Sequence, residues 1–368
     1  MRILVTGAGG FLGWHTRLRL HALTDHEIFS VTRSTWSQVA HLVEGVDAVI
    51  HLAGVNRGPD DEVHDGNLSL ADDVATAVEQ SRRPIAVVYA NSIQDSNGSP
   101  YGLGKAAGRH RLEAASAQVG GRFVDVRLPN LFGEHGRPGY NSFVATFVAA
   151  TIAGEAPSVV DRPVELLHAQ GAAAALIEAV EGGAGRVDPR GTTLGVAQTL
   201  DVLHEFKASY DSGEIPDLCA PWRVDLFNTY RAALFPTAYP IGLTPHSDPR
   251  GRFVETLRSR GGQGQSSFST TVPGITRGEH YHLRKIERFS VIGGEATISL
   301  RRMFTDEVID FPVTGDRPCA VDMPTGWVHN ITNTGTDLLH TFFWSHELFD
   351  PADPDTYPER VRPLPTEA

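Results

Sequence analysis

Two cysteines, Cys219 and Cys319, are all that the 368 residues contain. They lie far apart and without C-x-x-C spacing, which excludes a disulfide scaffold and a thiolate zinc site and fits a reducing compartment. Positive charge is also short: 32 Lys and Arg against 44 Asp and Glu leave a formal net charge of -12. That balance argues against nucleic acid or an anionic membrane as the bulk partner. It leaves room for a local phosphate site made of backbone amides and a few arginines. No apolar run reaches the ~18 residues that a membrane span needs, and "MRILVTGAGG" enters a buried-strand pattern with no signal peptide. Repeats and low-complexity tracts are missing too, and "PLPTEA" reads as a loose tail. The expectation is a cytoplasmic protein without nucleic-acid or membrane partners.

What is present is ordinary globular material, 41% hydrophobic and 21% charged, in a chain long enough for two domains. Short apolar strands at 2–7, 27–33, 47–54, 84–92 and 122–130 alternate with helical patterns at 11–22, 68–82 and 102–118. Such alternation implies a doubly wound, Rossmann-like parallel α/β sheet. Between Arg33 and Asp47 there is too little chain for a full insertion, so one element there is reduced. Residues 140–235 are mixed and helix-rich. Near 236–245 the texture becomes Pro/Gly-punctuated with short β runs, which suggests an antiparallel sandwich or barrel. The expected division is 1–240 and 241–368.

In "TGAGGFLG", Gly7, Gly10 and Gly13 follow a strand and open a helix, with Phe11 and Leu12 between the last two. Glycines there allow a tight turn and a close approach of backbone to a pyrophosphate at the helix N-terminus. The second strand ends in "SVTRST", where an acid would accept from the ribose hydroxyls of NAD. Arg33 stands there instead, and a guanidinium suits a 2′-phosphate, so NADPH is expected. "YANSIQDSNGSPYGLGK" then places Tyr101 and Lys105 four apart on one helix face, with Ser92 at the preceding strand end. A tyrosine becomes a useful acid–base group beside an ammonium. Lys105 can supply that charge and hold the nicotinamide ribose, while Ser92 hydrogen-bonds the substrate oxygen.

These residues resemble the extended short-chain dehydrogenase/reductase family, together with "HLAG" (51–54), Asn67 and "RLPNLFG" (127–133). The resemblance implies cofactor contacts at Leu52, Ala53 and Gly54, and a sugar-nucleotide site shaped by Arg127 and Asn130. Gly104 stands where the family often has serine, and "VELLHAQGAAAA" (164–175) lacks the acidic pair that often follows this strand. Arg137, in "RPGYNS", is available for a substrate phosphate.

Near the far end, "GITRGEHYHLRKIERFSVIGG" has the pattern G-x5-H-x-H-x4-E-x6-G. His280 and His282 share one face of a strand because side chains alternate, and a returning strand can bring Glu287 beside them. "PTGWVHNITN" adds Pro324, Gly326, His329 and Asn333. Together they resemble the two-motif cupins, which implies a jelly-roll barrel and a metal held by His280, His282, Glu287 and His329. Such donors suit Zn, Fe, Mn, Ni or Co, with zinc preferred. The metal could acidify a C–H beside a ketone or hold the barrel together. Tyr281, Lys285, His340 and solvent on the metal are all candidate bases, and none stands out.

The joined pattern, with "HLAGVNR", "RLPNLFGEHGRPGYNSFVATF", "PGITRGEHYH" and "ELFDPADPDTYPERV", resembles the CapF-type bifunctional enzymes of capsular polysaccharide and O-antigen biosynthesis. That resemblance implies a UDP-sugar substrate, UDP-2-acetamido-2,6-dideoxy-4-hexulose. The cupin would epimerise C3 and the reductase would then pass a hydride from NADPH to C4. The product, UDP-2-acetamido-2,6-dideoxy-L-talose, leads to N-acetyl-L-fucosamine in surface polysaccharide. A homodimer is the expected assembly. The alternative keeps the reductase for another deoxysugar pathway and makes the cupin a structural or dimerising module.

Overall fold

The computed structural model describes residues 1–183 and 185–363, so most of the "PLPTEA" tail lies outside the described residues. The chain forms two compact units, one of residues 1–146 and 159–197, the other of residues 147–158 and 198–368.

The first unit is built on β1 (Arg2–Thr6), α1 (Phe11–Leu23), β2 (Glu27–Val31), α2 (Val39–Val43), β3 (Ala48–His51), α3 (Asp60–Ser81), β4 (Ala86–Ser92), α4 (Pro100–Gln118) and β5 (Phe123–Leu128). The sheet order is β2-β1-β3-β4-β5, with Gly185–Val187 at the far edge, and every pairing is parallel. Alternation along each strand makes two cores. Ile3, Val5, Ile50 and Val88 pack against Leu20, Leu176 and Val180 on one face. Leu4, Val49, Val87 and Tyr89 meet Val74, Val78 and Leu112 on the other. Each fully buried aliphatic side chain contributes about 1.5–3 kcal/mol, and burial on both faces is what parallel sheets require.

The expected short connection after Arg33 is a 3-10 turn, Arg33–Gln38, running into the five-residue α2. α3 begins eight residues before the expected 68. Asp60, Asp61 and Glu62 complement the helix dipole in its first turn. Gly66 lets the helix pass close beside Val55, whose Cγ2 would lie 2.8 Å from any Cβ there. Gly104 likewise admits close packing of α4 on α3, since a Cβ would stand 2.8 Å from the His64 carbonyl oxygen. A serine has no room at that position.

The second unit contains two five-stranded antiparallel sheets. Glu287–Gly293, Cys319–Met323 and Leu339–Ser345 belong to one; Thr276–Tyr281, Glu295–Arg302, Val308–Thr314 and Trp327–Asn333 belong to the other. Phe289, Val291, Val321 and Leu339 from the first sheet share a core with Ile298, Leu300, Phe311 and Ile331 from the second. This is the sandwich expected from the cupin resemblance.

Residues 198–240, read from sequence as part of the first half, pack with these sheets. The reason is a buried ionic network. Arg288 donates to Asp322 through Nε at 2.6 Å and Nη2 at 3.1 Å. The Tyr210 hydroxyl donates to the same carboxylate and meets the Tyr239 hydroxyl at 2.6 Å. Arg231, on helix Pro221–Leu234, lies 4.0 Å from it. Burial would raise the pKa of Asp322, but Arg288 and Arg231 outweigh it and hold the group ionised. Removing one member of such a network costs about 3–5 kcal/mol.

Candidate functional site

At the first unit's glycine turn, Gly7 has φ +66°, and a Cβ on it would come within 2.8 Å of the Ala53 nitrogen. At Gly13 a Cβ would meet the Gly7 carbonyl oxygen at 2.2 Å. Only glycine fits either place, and the result is bare backbone at the N-terminus of α1, whose N-cap is Gly10. Phe11 and Leu12, the first two residues of α1, are partly exposed. The Thr6 hydroxyl accepts from the amides of Leu52 and Ala53 at 3.2 and 3.3 Å, tying the β3 exit to the turn. Asn67 fixes the next loop: it accepts from Val55 N at 3.2 Å and donates to the Val55 and Val63 carbonyls at 2.7 Å. A Cβ at Gly54 would collide with that side chain. Arg33 is exposed beside Thr32, which touches Gly9 of the turn.

Ser92 ends β4, and Tyr101 and Lys105 lie one turn apart on α4. Ser99 caps that helix by accepting from Gly102 N at 3.1 Å, with Pro100 in the first turn. Burial pushes the Tyr101 hydroxyl up to about 12, and the nearby Ser92 side chain lowers it only in part. Lys105 is buried, with its ammonium over the face of Tyr89, 4.2 Å from the ring centre. Burial drops it to about 7, against the pull of Asp125. At Tyr101 burial is the larger influence, and it favours the neutral phenol.

The substrate-side residues divide. Arg127 is clamped 3.3 Å from Asp95 and 3.5 Å from Asp188. Asn130 and Arg137 are exposed on the following segment.

In the second unit, His280 pairs directly with His329 across two antiparallel strands, which puts both rings on one face. That pairing depends on a bulge. Thr276, Arg277 and Gly278 oppose Thr332, Ile331 and Asn330, and the register shifts before His280. Without the shift Glu279 would face His329, and His280 would point to the other side of the sheet. Glu279 takes φ +62° to make it. Its carboxylate accepts from Asn330 Nδ2 at 2.9 Å and Val361 N at 2.7 Å. Sequence reasoning missed Glu279, because nothing in G-x5-H-x-H marks a bulge.

Glu287 comes from the opposing sheet, and the four ligand atoms lie within 4.8 Å of one another. The Nδ1 of His282 donates to the Asp355 carbonyl at 2.5 Å, and that of His329 faces the Trp327 carbonyl at 3.3 Å. Each ring therefore turns its Nε2 lone pair inward. Those buried Nε2 atoms make no aligned hydrogen bond, yet sit 3.0 and 3.5 Å from one Glu287 oxygen. Lone pairs at that distance repel unless a proton or a cation lies between, so the donor set fits a divalent metal. Burial and the neighbouring imidazoles push His280 down to about 3. Burial would also lower His282 and raise Glu287, but their mutual attraction reverses both shifts.

The candidate bases fare differently. Lys285 donates to the Pro354 carbonyl and to Thr356 Oγ1 at 3.2 Å. Tyr281 is buried on the face opposite the histidines, against Tyr357. His340 lies on the sheet that carries Glu287, packed over Gly293.

Among known proteins, residues 3–188 match the NAD dependent epimerase/dehydratase family and residues 246–357 the polysaccharide biosynthesis C-terminal domain. The chain is 34% identical over 367 residues, 97% of its length and 98% of the relative's, to the UDP-2-acetamido-2,6-beta-L-arabino-hexul-4-ose reductase of Pseudomonas aeruginosa. It is similar to the crystal structure of the capsular polysaccharide assembling protein CapF from Staphylococcus aureus, with TM-score 0.64 and 35% identity, over 98% of this chain and 100% of that one. The spore coat polysaccharide biosynthesis protein SpsL of Bacillus subtilis is 27% identical over 122 residues, 31% of this chain and 81% of that protein.

Proposed function

Because the chain belongs to the NAD dependent epimerase/dehydratase family, and along its whole length to the CapF-type enzymes, we propose that it is a bifunctional UDP-sugar C3-epimerase and NADPH-dependent C4-ketoreductase. Its substrate is UDP-2-acetamido-2,6-dideoxy-4-hexulose and its product the corresponding L-talo sugar nucleotide, for surface polysaccharide. The observation that carries this reading is the co-occurrence, in one chain, of the Ser92–Tyr101–Lys105 set and the four-donor cluster. We assign the reductase chemistry to the first unit and the epimerase chemistry to the sheets of the second, within residues 241–368.

Bound NADPH supplies the hydride. Tyr101 supplies the proton to the C4 oxygen, and its raised pKa suits that role, because reduction needs the protonated phenol at neutral pH. Ser92 shares the same oxygen and orients it. Gly7, Gly10, Phe11, Leu12, Gly13, Leu52, Ala53 and Gly54 line the cofactor, and Lys105 holds its ribose. The absence of an acid at the end of β2, with Arg33 exposed there, supports NADPH over NADH. Arg127, Asn130 and Arg137 shape the substrate side, Arg127 through its carboxylate clamp.

In the other half His280, His282, Glu287 and His329 hold a divalent metal, zinc by preference. That ion's chemistry is to polarise the C4 carbonyl, so that the C3 proton can leave. Epimerisation needs the ketone and so precedes reduction. No described helix is long and apolar enough to cross a membrane, in keeping with a cytoplasmic enzyme, and a homodimer is the proposed assembly.

The test is NMR of the product formed with NADPH and the 4-keto UDP-sugar in deuterated water. Deuterium at C3 and an L-talo configuration at C4 are expected. His280→Ala should abolish the C3 label. A label that survives it makes the cupin a structural module.

A further inference from the structure

Two arginines on separate loops of the first unit reach one ring. The guanidinium carbon of Arg57 lies 5.8 Å from the centre of Tyr140, and that of Arg137 lies 5.2 Å from it. Both arginines are exposed, and among the described residues neither has an ion pair or a hydrogen bond. What sets this pair apart from other exposed arginines of the chain is that both converge on one ring. Arg127 is held by two carboxylates, and Arg111 by Asp72 and Glu79. An exposed cation–π contact returns only about 0.5–1 kcal/mol, and two like charges sharing a ring repel. The arrangement becomes favourable when an anion of more than one charge enters, because guanidiniums grip phosphate oxygens in pairs.

The position agrees with a ligand. Arg57 follows β3, and Arg137 follows strand Asn130–Phe132, which pairs in parallel with Pro163–His168. Ligands of parallel α/β sheets bind beyond the carboxyl ends of strands. Gly136, next to Arg137, is close enough that a Cβ on it would touch the Phe11 ring, so this loop adjoins the start of α1.

We infer that Arg57, Arg137 and Tyr140 form a diphosphate subsite for the substrate. The inference rests on the sugar-nucleotide reading above. The cofactor also carries a diphosphate, but the glycine turn and the N-terminus of α1 already offer it bare amides. A second diphosphate needs a second cradle, and these loops carry the free charge for it.

Calorimetry on the full chain, saturated with NADPH, tests this with two probes, UDP and inorganic pyrophosphate. Arg57→Gln should weaken UDP about tenfold or more, with Arg57→Lys intermediate. NADPH affinity should stay within about twofold, and UDP binding should lose part of its salt dependence. Unchanged UDP affinity would sink the subsite while leaving the function standing. A loss confined to NADPH would reassign the arginines to the cofactor and overturn the inference. Pyrophosphate separates the two claims: if it binds through Arg57 but UDP gains nothing over other nucleoside diphosphates, the subsite holds and the UDP assignment fails.

Discussion

In the first unit the surface offered to the cofactor is backbone, exposed because Gly7 and Gly13 have no side chains to cover it. In the second it is side chains alone, three imidazoles and a carboxylate crowded within 4.8 Å. The first arrangement tolerates solvent and is completed by a helix dipole. The second crowds imidazole and carboxylate donors together, an arrangement that a cation between them would relieve. The difference teaches where each site is vulnerable. Added volume damages the glycine turn, whereas the histidine cluster is damaged by a slip of one residue in strand register.

The largest effect should separate the chemistries outright. Tyr101→Phe removes the proposed proton donor, so NADPH consumption with the 4-keto sugar should fall by about 10²–10⁴, while deuterium still enters C3. Loss of both activities would break the division of labour between the units.

A middle effect sharpens the claim about register. Glu279→Ala removes both carboxylate contacts and leaves a β-carbon at φ +62°. Metal affinity, read by competition with a chelator, should fall about 10–100-fold, the range seen for residues that orient ligands. Glu279→Gly relieves the backbone strain and should recover part of that loss. Equal affinities for wild type and Glu279→Ala would show that the bulge holds without its carboxylate.

The smallest effect is thermal. Folding lowers the pKa of Lys105 to about 7, so the unfolded chain binds this proton more tightly than the folded one. Its destabilising contribution is complete below about pH 7 and shrinks as pH rises toward the unfolded value. Lys105→Met should therefore melt a few degrees higher than wild type near pH 6.5, with the gap narrowing by pH 9. A gap independent of pH would mean that the ammonium is not desolvated.

Much of the molecule was legible residue by residue. The five parallel strands followed from apolar runs of the right length, and the four candidate ligands from the resemblance to the two-motif cupins. Two features were hidden for one reason. Residues 198–240 read as helices of the first half, because helical periodicity does not say which core a helix covers. Arg288, Asp322 and Tyr210 decide that, and they are far apart in the chain. Arg57 and Tyr140 were likewise unremarkable until two loops met.

The sequence by itself determined the chemistry available: glycines where backbone must be bare, a Tyr–Lys pair one helical turn apart, and histidines of period two. These are local properties, set by steric freedom and by the repeat of helix and strand. Only the tertiary structure decided the protonation state of Tyr101, the face on which His280 meets His329, and which arginines remain without a counter-ion. Those depend on burial, register and distance between remote segments, and no local pattern contains them.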